Sequence, residues 1–152
     1  MAQSIPSFAL VALIVPLVGI GVLPAIVAIV VGSIVPIVKN MYVGLSKTDA
    51  ALIDTGKGIG LTDLQIMRHI RLPLAYPAIF AGLKFSAIIA NGIAVLTAII
   101  GSGGLGRIIF EGLASFNINK TLSGAIPAIL IALTLDMIFS ITEKKLKAKS
   151  GY

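Results

Sequence analysis

The chain has 152 residues, of which 57% are hydrophobic and 12% charged, with a net charge of +6. A typical soluble domain is about 25% charged, and a chain of about 150 residues buries only about 70% of what its unfolded form exposes. An ordinary soluble enzyme, a disordered tail and a disulfide-held secreted scaffold are therefore excluded, and the bilayer is the expected solvent. Zero cysteines exclude thiolate sites, and the single histidine, His69, excludes a multi-histidine metal site within one chain.

In chain order, residues 1–38 carry no charge. That is too long for one helix across a hydrocarbon core about 30 Å thick, which needs about 20 residues. Gly19-Ile20-Gly21 and Pro24 divide it into spans near 5–20 and 23–40. A cleaved signal peptide fits poorly, because no basic residue precedes the apolar run. The next segment holds Lys39, Lys47, Lys57, Arg68 and Arg71. Within it, Thr48 is expected to cap a short helix beginning at Asp49. Gly56, Gly58 and Gly60 are expected to break that helix. Thr62 and Gln65 form a Thr-x-x-Gln capping box, and Leu64, Met67 and Ile70 give an apolar stripe over two turns. Pro73 is expected to stop or kink this second helix, which makes 47–73 a structured loop.

A third span runs near 77–100. On it Ala78, Gly82, Ser86, Ala90, Ala94 and Ala98 are all small and spaced by four. Such a row forms one ridge on a helix and lets a neighbouring backbone approach closely in lipid. The 101–120 connection contains only Arg107 and Lys120 as basic residues, and a last span, 121–142, is interrupted only by Asp136. Lys144, Lys145, Lys147 and Lys149 follow. These runs are continuously apolar rather than alternating, which opposes a β-barrel. The expectation is a single all-α domain, a polytopic transmembrane bundle of about four spans. The basic residues place the 39–71 loop and the C-terminus in the cytoplasm, and an even span count puts the N-terminus there too. The net charge is then a topology signal and not a nucleic-acid footprint.

Gly101-Ser102-Gly103-Gly104-Leu105-Gly106 satisfies GxGxxG, but a membrane helix precedes it and no acidic residue lies about 20 positions on, so the dinucleotide reading fails. Gly101, Gly103, Gly104 and Gly106 are instead expected to form an irregular external turn or gate. Lys84 and Asp136 each sit seven residues inside a span end, at Pro77 and Glu143, roughly 10 Å deep at 1.5 Å per residue. They are candidates for an ion pair between antiparallel helices, with snorkelling as the rival. His69 reads as a surface or docking residue; Asn91 and Thr97 either face a path or satisfy nearby backbone. No catalytic triad, acid pair or metal cluster appears, so no enzyme activity, cofactor or metal is expected of this chain.

Asp54-Thr55-Gly56, then Gly60, then nine residues, then Ile70-Arg71-Leu72-Pro73 resembles the EAA motif of ABC importer permeases, which reads EAA, three residues, Gly, nine residues, I-x-L-P. The second half matches without a gap; the first departs, with Asp for Glu, Thr for Ala and Gly for Ala. Pro73-Leu74-Ala75-Tyr76-Pro77, Ala81-Gly82, the 101–106 glycine turn, Ile5-Pro6-Ser7, Gly19-Ile20-Gly21 with Leu23-Pro24, and Gly124-Ala125-Ile126-Pro127 with Asp136 look similar to its osmoprotectant branch (glycine betaine, carnitine, choline). The resemblance covers nearly the whole chain.

It implies a multi-pass permease subunit of the bacterial inner membrane. The implied partners are a cytoplasmic ATPase that hydrolyses ATP, an extracytoplasmic substrate-binding protein, separate or fused, and a second permease copy or paralogue. Asp54, Thr55, Gly56 and Gly60 would shape the turn that docks on the ATPase. Ile70, Leu72 and Pro73 would join that surface to the third span, and the glycine turn would lie beside the external mouth. Family members usually have spans ahead of Ile5-Pro6-Ser7, so an N-terminally shortened chain is implied. The alternatives are a permease for methionine or a sulfonate, and an ATPase-independent channel or helper protein. With no Trp and no aromatic cluster inside the spans for a cation–π cage, substrate specificity is expected to reside in the binding protein.

Overall fold

The computed structural model describes residues 6–149, with side chains through Lys144. Ile5, both chain ends and the side chains of Lys145, Lys147 and Lys149 lie outside the described residues. The helices are α1 (Ser7–Val18), α2 (Val22–Ser46), α3 (Ala50–Gly58), α4 (Asp63–Ile66), α5 (Leu72–Leu96), α6 (Gly104–Ala114) and α7 (Ile118–Lys149). Met67–Arg71 forms a π turn and Thr97–Ile100 a 3-10 turn. Among the described residues there is no strand.

Three helical runs are long and apolar enough to cross a membrane: Val22–Ser46, the 38-residue run Asp63–Ile100, and Ile118–Lys144. α1 lies over the first expected span. α1 has 12 residues, about 18 Å at 1.5 Å per residue, which is short of a core about 30 Å thick. Its end is set by Gly19 (φ 92) and Gly21 (φ 118), which turn the chain through backbone angles that a side chain disfavours. α1 instead supplies Val11 and Ile14 to a buried cluster with Ala28 of α2 and Ile93 of α5.

α5 is antiparallel to both α2 and α7 and packs mainly on α2. The half of the small-residue row nearer the start of α5 makes this seam. A Cβ added to Gly82 would stand 2.9 Å from Asn40 Cβ and 3.1 Å from the Pro36 carbonyl oxygen. Ser86 is buried and its hydroxyl donates to the Ser33 carbonyl at 2.7 Å. On the facing helix, Gly44 leaves room for Ala75 and Ala78. Farther along, the row leaves this seam: Ala94 is exposed, while Ala98 packs against Gly106. Close backbone approach replaces the hydrophobic drive that lipid cannot supply between helices.

At one end of the bundle the two glycine turns meet, where the Gly21 amide donates to the Ile100 carbonyl at 2.7 Å. The basic 39–71 segment lies at the other end. From Gly104 the chain forms α6, an amphipathic helix that the sequence reading did not assign, and α6 folds back along α7. Gly112 and Gly124 allow that contact: a Cβ on either would strike Thr121 or Ile109 and the Leu105 carbonyl.

Candidate functional site

The basic end is built from α3, a turn and the start of the 38-residue helical run. Asp49, not Thr48, caps α3: its carboxylate accepts from the Ala51 amide at 3.0 Å, while the Thr48 hydroxyl donates to the Leu45 carbonyl at the end of α2. Asp at the N-cap satisfies a free helix amide and faces the positive end of the helix dipole. Nor does Gly56 break α3. It lies inside the helix and is buried, and a Cβ there would stand 2.9 Å from Ile70 Cδ1 and 3.3 Å from Ile66 Cγ1. Its role is contact, through which α3 rests on the long helix.

The turn itself belongs to Gly60. Its φ is +85 and nothing lies within 4 Å of a Cβ built on it, so the position selects glycine by conformation rather than by crowding. Asp54 and Thr55 sit on the exposed side of α3, and the Thr55 hydroxyl is tied to the Ala51 carbonyl at 2.8 Å. They precede the turn, and the Thr55 carbonyl accepts from the Ile59 amide at 3.1 Å at the end of α3.

The capping box forms as the sequence predicts. The Thr62 amide donates to Gln65 Oε1 at 2.8 Å, and the Gln65 amide returns to Thr62 Oγ1 at 3.4 Å. The apolar face differs from the expected stripe. Ile66 is 3% exposed and pairs with Ile70 one turn on, whereas Leu64 is 78% exposed. Leu64 and Ile59, which is 74% exposed, thus leave an apolar patch at the tip beside Lys57, Arg68 and His69. The spacing of Ile66 and Ile70, with a glycine available opposite, was the signal for the pair that faces α3, of which Ile66 is buried and Ile70 half-buried.

Pro73 does not stop the helix. The run stays continuous because the Leu72 amide reaches back five residues to the Met67 carbonyl, making the π turn. A proline removes one amide and crowds the preceding turn, and a widened turn just before it accommodates this. Ile70, Leu72 and Pro73 therefore lie on one unbroken rod that continues as α5, with Arg71 Nε buried beside them and lacking a hydrogen-bond partner. A cavity of about 420 Å³, lined by Gly44, Lys47, Leu52, Leu74, Pro77 and Ala78, separates α3 from the junction of α2 and α5. The contact at Gly56 holds α3, and the cavity leaves space beside it.

Within the bundle, Lys84 Nζ lies 2.8 Å from Asp136 Oδ1 and donates to the Ser140 hydroxyl at 2.8 Å. Their helices bring them to one level, as counting from the span ends predicts. Asn91 reaches the Ala128 carbonyl at 3.5 Å, and the Thr97 hydroxyl donates to the Ala94 carbonyl at 2.9 Å, so both have protein partners. His69 Nδ1 is 3.0 Å from the Gln65 carbonyl on an exposed face. Among the described residues no group of His, Cys, Asp and Glu is placed to hold a metal.

At the glycine end, Gly101 (φ +85), Gly103 (φ +79) and Gly104 (φ +71) form the turn, while a Cβ on Gly106 would collide with the Val95 carbonyl oxygen. Four glycines grouped together by sequence thus divide into three that bend the chain and one that lets α6 touch α5. Glu111 on α6 binds Arg107 at 2.6 Å and Lys120 at 2.8 Å. Hydrogen bonds from Lys120 and Arg107 lower its pKa from the ordinary 4.5 to about 2.

Comparison with known proteins agrees with this architecture. The family described as "Binding-protein-dependent transport system inner membrane component" matches residues 1–148. The chain is 40% identical to the glycine betaine/carnitine/choline transport system permease protein OpuCB of Bacillus subtilis (strain 168) over 149 residues, 98% of this chain and 69% of that relative. It is 41% identical to the choline transport system permease protein OpuBB of the same organism over 144 residues, 95% of this chain and 66% of the relative. It is 37% identical to the osmoprotectant import permease protein OsmW of Salmonella typhimurium (strain LT2) over 140 residues, 89% of this chain and 65% of the relative. The chain therefore spans about two thirds of the length of these relatives. Its fold is similar to a chain of the MetNI methionine ABC transporter in an inward-facing conformation, with a TM-score of 0.83 at 23% identity, over 95% of this chain and 70% of that one.

Proposed function

The chain belongs to the family of binding-protein-dependent transport system inner membrane components, and from that premise we propose that it is a permease subunit of an ABC importer for osmoprotectants of the glycine betaine, carnitine and choline type. The substrate class rests on the three relatives, each a permease of such a system by name. The basic end faces the cytoplasm, in keeping with the positive-inside bias, and the glycine end faces out. The partners are a cytoplasmic ATPase subunit, an extracytoplasmic binding protein and a second permease copy or paralogue.

One observation carries the mechanism: α3 rests through Gly56 on Ile66 and Ile70, and these belong to the same unbroken 38-residue helical run that crosses the bundle. A displacement of α3 by the ATPase is thereby passed to a spanning helix without a flexible joint. Ile59 and Leu64 at the tip offer apolar anchors to a groove on the ATPase, and Lys57 and Arg68 flank them. Asp54 and Thr55 lie on the exposed side of α3, where the ATPase would meet it. The Gly60 turn sets the angle between α3 and the rod. ATP hydrolysis is assigned to the ATPase partner.

The test is uptake of labelled glycine betaine, choline and carnitine by vesicles containing the permease with the ATPase and binding protein of its own transport system. ATP-dependent uptake of at least one, outcompeting methionine, is the expected result. Uptake of methionine alone would assign the chain to another solute branch. Solute flux independent of the ATPase would make it a channel.

A further inference from the structure

We infer that Phe116, at the tip between α6 and α7, is an anchor on which the extracytoplasmic binding protein docks. This rests on the permease reading above and names a surface within it. α6 ends in a Schellman arrangement: the Asn117 amide donates to the Gly112 carbonyl at 2.8 Å and the Phe116 amide to the Leu113 carbonyl at 3.2 Å. In that motif the position Phe116 occupies takes a left-handed backbone and is usually glycine. Phe116 has φ 50 and is the one positive-φ residue among the described residues that is not glycine.

Its side chain gives the fold nothing in return. Phe116 is 95% exposed. The hydrophobic contact that commonly accompanies this helix ending would join Gly112 and Asn117, which have no apolar side chains to offer. A bulky aromatic thus sits where glycine would serve the backbone better. Strain of this kind, held by surrounding structure, points to a role outside the fold.

The occupant follows from length and charge. Ile118 to Glu143 makes about 39 Å of helix, against a hydrocarbon core about 30 Å thick. With Glu143 at the cytoplasmic boundary, the start of α7 projects about 10 Å beyond the core at the outer side, and Phe116 lies past that end. Asn117, Asn119 and Lys120 beside it are polar, so the bilayer core does not cover the ring. Ile118, 73% exposed, and Leu113, 55% exposed, widen the apolar tip. Arg107 and Lys120 around Glu111 give its flank a net charge of +1. The surface fits a water-borne protein presenting an apolar pocket with an acidic rim, and an aromatic side chain of this exposure suits a hot spot.

The experiment uses the assembled transporter in nanodiscs, with ATPase stimulation by the purified binding protein of the same system as readout. Phe116→Gly and Phe116→Asn both suit a left-handed backbone, so the tip keeps its shape. Each is expected to raise the half-saturating binding-protein concentration at least tenfold, leaving basal ATPase and thermal stability unchanged or, for Phe116→Gly, stability higher. Phe116→Trp is expected to keep wild-type half-saturation and to supply the permease with its first tryptophan. Unchanged half-saturation in the Gly and Asn variants overturns the inference. Quenching of the introduced Trp by brominated lipid also overturns it, giving the bilayer as occupant, as does loss of permease self-association in Phe116→Gly, giving a second copy. If the binding protein fails to stimulate the wild-type transporter, the permease reading falls first and the anchor with it.

Discussion

Lys84 on α5 and Asp136 on α7 meet at 2.8 Å, across more than fifty residues of sequence, with the Ser140 hydroxyl taking a second proton from the same ammonium at 2.8 Å. The pair and the Asn91 contact to the Ala128 carbonyl are polar links between the two helices. The Lys84 side chain is 22% exposed and that of Asp136 47%. Breaking a fully buried pair costs about 3–5 kcal/mol, and partial exposure reduces this to about 1–2 kcal/mol for Lys84→Met or Asp136→Ala. The charge-swapped double variant Lys84→Asp/Asp136→Lys should regain most of the lost thermal stability in detergent. If the swap is no better than the single variants, the pair does not hold the helices.

Gly60→Val should leave insertion and expression near normal while reducing ATP-driven uptake at least tenfold. A β-branched residue at φ +85 is disfavoured by at least about 1–2 kcal/mol. The turn would relax and swing α3 away from its docking angle. Gly56→Leu should reach the same loss by a different route, by lifting α3 off Ile70. Uptake and binding-protein-stimulated ATPase, measured together, separate the two events: hydrolysis continuing without uptake marks a broken linkage. Normal uptake by Gly60→Val would remove the turn from the mechanism.

The four glycines of the 101–106 turn should respond differently to alanine. Gly106→Ala places a methyl against the Val95 carbonyl oxygen, a backbone group that cannot move aside, and overpacking of this kind costs about 1–3 kcal/mol. Gly103→Ala meets nothing within 4 Å and suffers only from its φ of +79, at a cost of about 1 kcal/mol. Thermal melts of the two variants check the order, and equal losses would contradict the packing of α6 on α5.

Glu111 supplies a pH dependence confined to the end of the bundle that carries the glycine turns. Its pKa is lowered from 4.5 to about 2 by hydrogen bonds from Lys120 and Arg107. A group with a depressed folded pKa adds stability above its unfolded pKa and loses it as the pH falls through the folded value. The contribution should therefore be complete above pH 5 and fade between about 4.5 and 2. Glu111→Gln should flatten the melting temperature over that window and lower it at pH 7, where the contribution is complete, while differing little from the wild type near pH 2. Carboxyl carbon shifts of Glu111 that titrate near 4.5 would show that the network is not formed.

Much of the bundle was legible because membrane helices write themselves in long uncharged runs and in small residues at constant spacing. Gly82 and Ser86 met α2 as their ridge implied, and Lys84 met Asp136 because both count to the same depth from opposite ends of antiparallel helices. What stayed hidden depended on partners distant in sequence. Gly56 looks like a helix breaker until Ile70 is placed beside it. Asp49 and Thr48 are both competent caps, and the role fell to Asp49 because the Thr48 hydroxyl already donates to the Leu45 carbonyl of α2. α6 was obscured by its three glycines, which lower helix propensity; Gly104 bends the chain, while Gly106 and Gly112 let α5 and α7 come near. The π turn has no local signature beyond the proline that follows it. Leu64 and Ile66 exchanged roles because only the second lies over Gly56.

That π turn fixes the rotational phase of the long rod. Successive residues of an α-helix advance by about 100°, so one surplus residue between Met67 and Arg71 turns everything beyond it by about that angle relative to an uninterrupted α-helix. Ile66 meets α3 ahead of this shift, and Gly82 and Ser86 meet α2 beyond it. The rod therefore carries two bearing surfaces whose relative phase the π turn sets.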